Sequence, residues 1–162
     1  MTNIHLEHRY PAPCEQVLNH FWQPQLVEQK YLAQGAKQVR VAVVDNEIRS
    51  QRQMQSDVPA MLKSLLGSDI SIEQSEQWLE TEDGFDCQFQ VKLAGVPISI
   101  DGVMQWRNYS NGCCNYLNLN IQSSIPILGK TLEAFVGKSC QAMADSEQRY
   151  LLEQLHETVD GH

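Results

Sequence analysis

The sequence predicts an α+β fold in which a curved antiparallel sheet is closed by one long helix. Residues 116–121 read as a strand, Ser-Ser-Ile-Pro-Ile-Leu-Gly follows at 123–129, and a helical pattern then runs to about Leu155. Most of the chain before it reads as short strands joined by tight turns. Such strands must be antiparallel, because a parallel neighbour needs a long crossover. A lone helix of that length has to bury its apolar stripe, and the concave face of the sheet is the surface open to it. That arrangement commonly encloses a cavity.

Taken in order, Ile4, Leu6, His8 and Tyr10 alternate with His5, Glu7 and Arg9, the period of a half-buried strand, which Pro11 and Pro13 stop. Pro13 suits a first helical turn. Val17, Leu18, Phe21 and Trp22 then recur at helical spacing over 15–22, and Pro24 ends that helix and opens another carrying Leu26, Val27, Tyr31 and Leu32. Gly35 is placed to end it in a left-handed conformation. Strands over 38–44 and 47–55 flank a two-residue turn at Asp45-Asn46, both of which tolerate positive φ.

Pro59, Met61, Leu62, Leu65, Leu66 and Gly67 mark a short helical insert over 58–66. Strands over 70–79 and 85–93 flank Glu82-Asp83-Gly84, where the glycine suits a left-handed residue. Ala94-Gly95-Val96-Pro97 leads to a strand over 98–108, and a turn at 109–112 to one over 113–122. Asp101-Gly102 is expected to bend the sixth strand, and Gly129 to let the chain turn onto the sheet. In the final helix Leu128, Leu132, Phe135, Val136, Cys140, Met143, Glu147, Tyr150, Leu151 and Leu155 form a stripe of about seven turns, Glu133 suits its start, and Gly161 lies past its end.

At 162 residues the chain is read as one domain, 1–162, able to bury a full core. The formal charge of −8, from 20 acidic and 12 basic residues, argues against phosphate-driven nucleic-acid binding and against an anionic membrane surface. No apolar run approaches the ~20 residues of a membrane span, and Met-Thr-Asn-Ile-His-Leu-Glu-His-Arg lacks the sections of a signal peptide. The expectation is a cytoplasmic protein. Cys14, Cys87, Cys113, Cys114 and Cys140 are odd in number and lack CxxC spacing, so they are read as free, buried thiols in a reducing compartment.

The order β-αα-ββ(α)ββββ-α resembles the helix-grip fold of the START-like (SRPBCC) superfamily, which includes lipid transfer domains, birch-pollen-allergen-like proteins and polyketide cyclases. The local wording is most similar to a bacterial branch known as domain of unknown function 2505. The words are His8-Arg9-Tyr10-Pro11, Gly35-Ala36, Pro59 with Leu65-Leu66-Gly67, Trp78, Gly95-Val96-Pro97-Ile98 leading to Gly102, Ile125-Pro126 with Gly129, and Leu132-Glu133. The resemblance implies seven antiparallel strands wrapped around the C-terminal helix, two short helices after the first strand, and a largely apolar cavity. The superfamily's ligands are typically sterols, lipids, polyketides, hormones or quinones. One fold hosts carriers and enzymes alike, so function has to come from the site.

Alternation assigns the faces. Ile48, Ser50, Arg52 and Met54 share the inward side of the third strand, and Ile70, Ile72, Gln74, Glu76 and Trp78 that of the fourth. Cys87, Phe89, Val91 and Leu93, then Ile98, Ile100, Gly102, Met104 and Trp106, then Leu117, Leu119 and Ile121 continue the wall. With Leu132, Phe135, Val136 and Met143 from the helix, they are the expected cavity lining; Met and aromatic residues so spaced also make plain core. Arg52 is the odd member, since a buried guanidinium needs an acid, water or a ligand. It either pairs internally with Glu76 to hold a ligand's polar head, or reaches the cavity mouth or is turned outward by a bulge.

No catalytic residues, metal or cofactor are indicated. His5 and His8 diverge on one strand, His20, His156 and His162 show no metal spacing, and neither a GxSxG elbow nor a phosphate-binding loop is present. Arg52, Glu76 and Tyr116 are the only polar candidates for acid–base work, and Tyr116 points outward by alternation. The leading reading is a carrier of a small hydrophobic molecule such as a lipid, quinone or polyketide-like compound. A cyclase- or hydratase-like enzyme using the same cavity is the alternative, and a filled-core protein-interaction domain the third.

Overall fold

The computed structural model describes residues 1–160, with side chains through residue 156. Gly161 and His162 lie outside the described residues. Strand β1 (Thr2–Tyr10) is followed by helices α1 (Cys14–Trp22) and α2 (Pro24–Ala33), then strands β2 (Lys37–Val44) and β3 (Glu47–Gln55). A 3-10 turn, Ala60–Leu62, runs into α3 (Lys63–Leu66). Strands β4 (Asp69–Thr81), β5 (Gly84–Leu93), β6 (Ile98–Tyr109) and β7 (Gly112–Ser123) precede α4 (Gly129–Asp160). Helix α4 thus outlasts the expected end at Leu155.

The seven strands form one antiparallel sheet in the order β1-β7-β6-β5-β4-β3-β2. Consecutive strands are neighbours from β2 through β7, as short turns require. The α1–α2 pair carries the chain from β1 at one edge to β2 at the other. The expected alternation holds: Ile48, Ile72, Trp78, Cys87, Phe89, Ile100, Met104, Trp106, Leu119 and Ile121 are buried. Among the described residues no helix is long and apolar enough to cross a membrane.

Helix α1 fills one end of the concave space. Phe21 lies 5.2 Å from Trp106 and 6.0 Å from Trp78, Trp22 4.8 Å from Phe85, and Tyr10 stacks on Trp106 at 5.7 Å. Helix α4 closes the sheet at its two ends, where Leu132 and Val136, then Leu151 and Leu155, are buried. Glu133 fastens its start by accepting hydrogen bonds from the Ser123 backbone N–H and the Thr2 hydroxyl, each at 3.0 Å. Those bonds, the Ser123 N–H first, hold its carboxyl below the usual range. Between these ends residues 139–150 are at most half-buried. The stripe is therefore not uniformly packed.

Several local expectations are corrected. Cys14 and Cys113 form a disulfide across Cα atoms 5.1 Å apart, while Cys87, Cys114 and Cys140 are free. The fold brings the start of α1 against the start of β7, a proximity invisible across a sequence separation of 99. Asp101-Gly102 causes no register shift in either β5–β6 or β6–β7. Gly102 is needed because a Cβ there would stand 2.6 Å from the Phe89 ring and 2.3 Å from the Asn118 carbonyl oxygen.

Gly84 is likewise a close-approach glycine, its virtual Cβ 1.8 Å from the Trp106 carbonyl oxygen, and does not have positive φ. In the β2–β3 turn only Asp45 is left-handed, at φ 54°. Asn46 instead ties the turn to β4 through its side chain and backbone, both bonded to Trp78 at 2.9 Å. Before α4 the left-handed residue is Ile127, at φ 69°.

Candidate functional site

Under the middle of α4 lies a cavity of about 350 Å³, closed by the sheet below and bordered by α2 and the β3–α3 segment. Nine of the expected lining residues face it: Arg52, Met54, Phe89, Ile100, Met104, Leu119, Phe135, Val136 and Met143. Phe135 is half-buried there and does not wedge fully into the core. Among the expected residues that do not line it are Trp78, Trp106, Leu132 and Glu76. Trp78 and Trp106 belong to the aromatic plug around Phe21, and Leu132 packs where α4 seals the sheet. Glu76 is buried beside that plug, accepting from the Trp78 indole N–H at 3.1 Å.

The direct Arg52–Glu76 pair is not formed. Arg52 stands opposite Ile72, whereas Glu76 stands opposite Ile48. The two are thus four residues apart along the ladder, about 13 Å. Gln74, between them, accepts from Arg52 Nη2 at 3.2 Å and donates to Glu76 Oε2 at 2.6 Å. The guanidinium lies 4.1 Å from the Tyr31 ring centroid. Among the described residues Arg52 Nη1 has no hydrogen-bond partner, and no carboxylate comes within ion-pair range of Arg52. It is 8% exposed, so it neither reaches bulk water nor is turned outward.

The acids nearby are engaged by Lys30, which is 1% exposed and lies 3.7 Å from Glu147. Burial pulls the Lys30 ammonium below its ordinary range, opposed by Glu147 and Glu76. Burial pushes the Glu76 carboxyl up, opposed first by Lys30 and then by the Trp78 and Gln74 bonds. Burial also raises the Tyr31 and Tyr10 hydroxyls well above their usual range. At the β1 side, His8 Nε2 meets Asp145 Oδ1 at 3.2 Å, and the buried Asn115 Oδ1 has no partner among the described residues. Tyr116 is exposed on the outer face, as alternation predicts.

Lys30, Tyr31, His8, Tyr10, Asn115 and Glu147 escaped the sequence-based list. Signals existed for three of them. Lys30 follows Val27 by three residues and so shares its helix face; His8 and Asn115 each interrupt an apolar set, between Leu6 and Tyr10 and between Cys113 and Leu117. Among the described residues there is no cluster of His, Cys, Asp and Glu able to hold a metal ion. Chemically the cavity is a largely apolar container whose wall also carries the Arg52 guanidinium, the Glu147 carboxylate, His8 and several neutral polar groups.

A seven-stranded antiparallel sheet wrapped on a long C-terminal helix, with a cavity between them, defines the helix-grip fold of the START-like superfamily. Within that fold the chain belongs to the family described as "Protein of unknown function (DUF2505)", whose model matches residues 5–155. Among solved structures it is similar to TTHA0849 of Thermus thermophilus, at 19% identity and a TM-score of 0.70, with 97% of this chain and 99% of that one covered. It is also similar to the Zhui aromatase/cyclase of a Streptomyces species, at 7% identity, TM-score 0.67 and coverages of 98% and 96%. A fragment of the STAR-related lipid transfer protein of Xanthomonas axonopodis aligns at 12% identity, TM-score 0.64 and coverages of 92% and 85%. These likenesses show the fold. No curated protein matches the sequence.

Proposed function

We propose that this protein binds and carries a small hydrophobic molecule in the cavity beneath α4. The observation that carries the reading is the helix itself. Its ends are buried against the sheet while its middle stands over a space of about 350 Å³ walled by Ile72, Phe89, Ile100, Met104, Leu119 and Phe135. That volume falls at the small end of the range for ligand pockets, ~300–1,000 Å³. Apolar area removed from water, at ~25 cal/mol per Å² before association costs, would drive binding. Two structural neighbours, a lipid transfer protein and an aromatase/cyclase, are in keeping with such use. The carrier would work in the cytoplasm, where the Cys14–Cys113 bond would persist because both residues are 0% exposed and closed to attacking thiolates.

Native mass spectrometry and solvent extraction of freshly purified protein test the reading. A co-purifying apolar molecule, released on unfolding, is the expected result. Protein that stays empty and takes up no apolar probe would overturn it and favour a domain that only meets other proteins. A second reading, an enzyme of the cyclase or hydratase kind, draws on one observation: His8 lines the cavity and its Nε2 lies 3.2 Å from Asp145 Oδ1, an imidazole–carboxylate arrangement of the type used in acid–base catalysis. Turnover of a polyketide-like substrate that is lost in His8→Gln would favour it over carriage.

A further inference from the structure

We infer that the molecule held in this cavity is an amphiphilic anion, with a carboxylate, enolate or phenolate oxygen that accepts from Arg52 Nη1. The inference rests on the reading of the cavity as a binding site and names the ligand class. It starts from a charge without a counterion. Arg52 lines the cavity, is 8% exposed, and among the described residues donates a side-chain hydrogen bond to the neutral amide of Gln74. A buried cation so placed is expensive unless an anion reaches it.

The neighbouring acids do not supply that anion. Glu147 lies 3.7 Å from Lys30, and Glu76 accepts from Gln74 and Trp78 while sharing the field of Lys30. The guanidinium is also held in place. Tyr31 covers its face at 4.1 Å and Gln74 takes Nη2, so Nη1 is the donor left for a guest. Much of the wall is apolar, with Met54, Ile70, Ile72 and Leu93 among its residues, and the polar groups Gln34, Gln55, Ser56 and Gln74 that also line the cavity carry no charge. An oxyanion on Arg52 with an apolar body along Phe89, Ile100 and Leu119 satisfies both halves of the cavity. A hydrogen bond to a charged group distinguishes an acid from its neutral ester by roughly 10- to 100-fold.

The test is a binding series of linear carboxylic acids, hexanoic to dodecanoic, with 1-naphthoic acid, each against its methyl ester, followed by calorimetry and thermal shift. In the wild type the acids should bind roughly 10- to 100-fold more tightly than the esters. Arg52→Gln should abolish that preference and leave ester affinity within about threefold, and Arg52→Lys, which keeps the charge but not the planar fork stacked on Tyr31, should keep part of it. Equal binding of acids and esters by the wild type would overturn the anion and leave the carrier reading intact. Binding of neither series would count against both. Should Arg52→Gln not fold, the wild-type comparison and Arg52→Lys decide the matter.

Discussion

The ammonium nitrogen of Lys30 lies 3.4 Å from the centroid of the Phe21 ring. A buried charge on α2 is thereby seated on the aromatic plug that α1 inserts into the sheet, and Glu147 of α4 lies 3.7 Å from the same nitrogen. One side chain ties the three helices together at the edge of the cavity. Its cation–π contact and ion pair offset the desolvation that burial imposes.

Lys30→Met should therefore lower stability by about 3–5 kcal/mol, because it strands buried Glu76 and half-buried Glu147 without a counterion. The double change Lys30→Met with Glu76→Gln should recover part of that loss, since neighbours of this kind are not additive. Urea denaturation of the four proteins of the cycle measures both. A single-mutant loss below about 1 kcal/mol would show that the acids do not depend on Lys30.

The two ends and the middle of α4 should respond differently to truncation. Leu132 is fully buried, so Leu132→Ala should cost about 2–5 kcal/mol. Phe135 faces the cavity, so Phe135→Ala should cost less than the 3–5 kcal/mol typical of a buried Phe and should admit bulkier ligands. Denaturant midpoints rank the pair, and the reverse order would contradict a helix gripping at its ends.

Oxidation state should matter to stability. The Cys14–Cys113 bond closes a loop of about 100 residues, for which chain entropy suggests roughly 2–5 kcal/mol. Under denaturing conditions, thiol titration of unreduced protein should detect Cys87, Cys114 and Cys140 alone. Detection of all five thiols would remove the disulfide, and Cys14→Ser should lower the urea midpoint as reduction does.

His20 predicts a loss of stability in mild acid. Burial, aided by Lys30, holds its folded pKa below the ordinary 6.5. The unfolded chain then takes up the proton first, so His20's contribution is complete above pH 6.5 and is lost as pH falls towards the folded value. His20→Gln should flatten that part of the stability–pH curve, and an unchanged curve would show that His20 does not contribute.

Much of the fold was legible in short patterns. The inward set Ile48, Ser50, Arg52 and Met54 needed only the period of two, and the Gly35 and Gly67 helix ends only the left-handed freedom of glycine, met at φ 94° and 67°. The left-handed conformation expected of Gly84 is not adopted. Gly84 and Gly102 answer to the Trp106 carbonyl and the Phe89 ring, atoms brought there by strand pairing and absent from any local window.

By itself, then, the sequence determined the element order, the inward and outward faces and the long closing helix, because propensity, turn chemistry and hydrophobic period act over a few residues. Tertiary structure alone decided the rest. Strand register put Gln74 between Arg52 and Glu76, the approach of α1 to β7 joined Cys14 to Cys113, and the α1–α2 pair brought Lys30 under α4. Each depends on distances between segments far apart in the chain. Alternation can say that Arg52 points inward; which anion it meets there is set by the space that packing leaves around it.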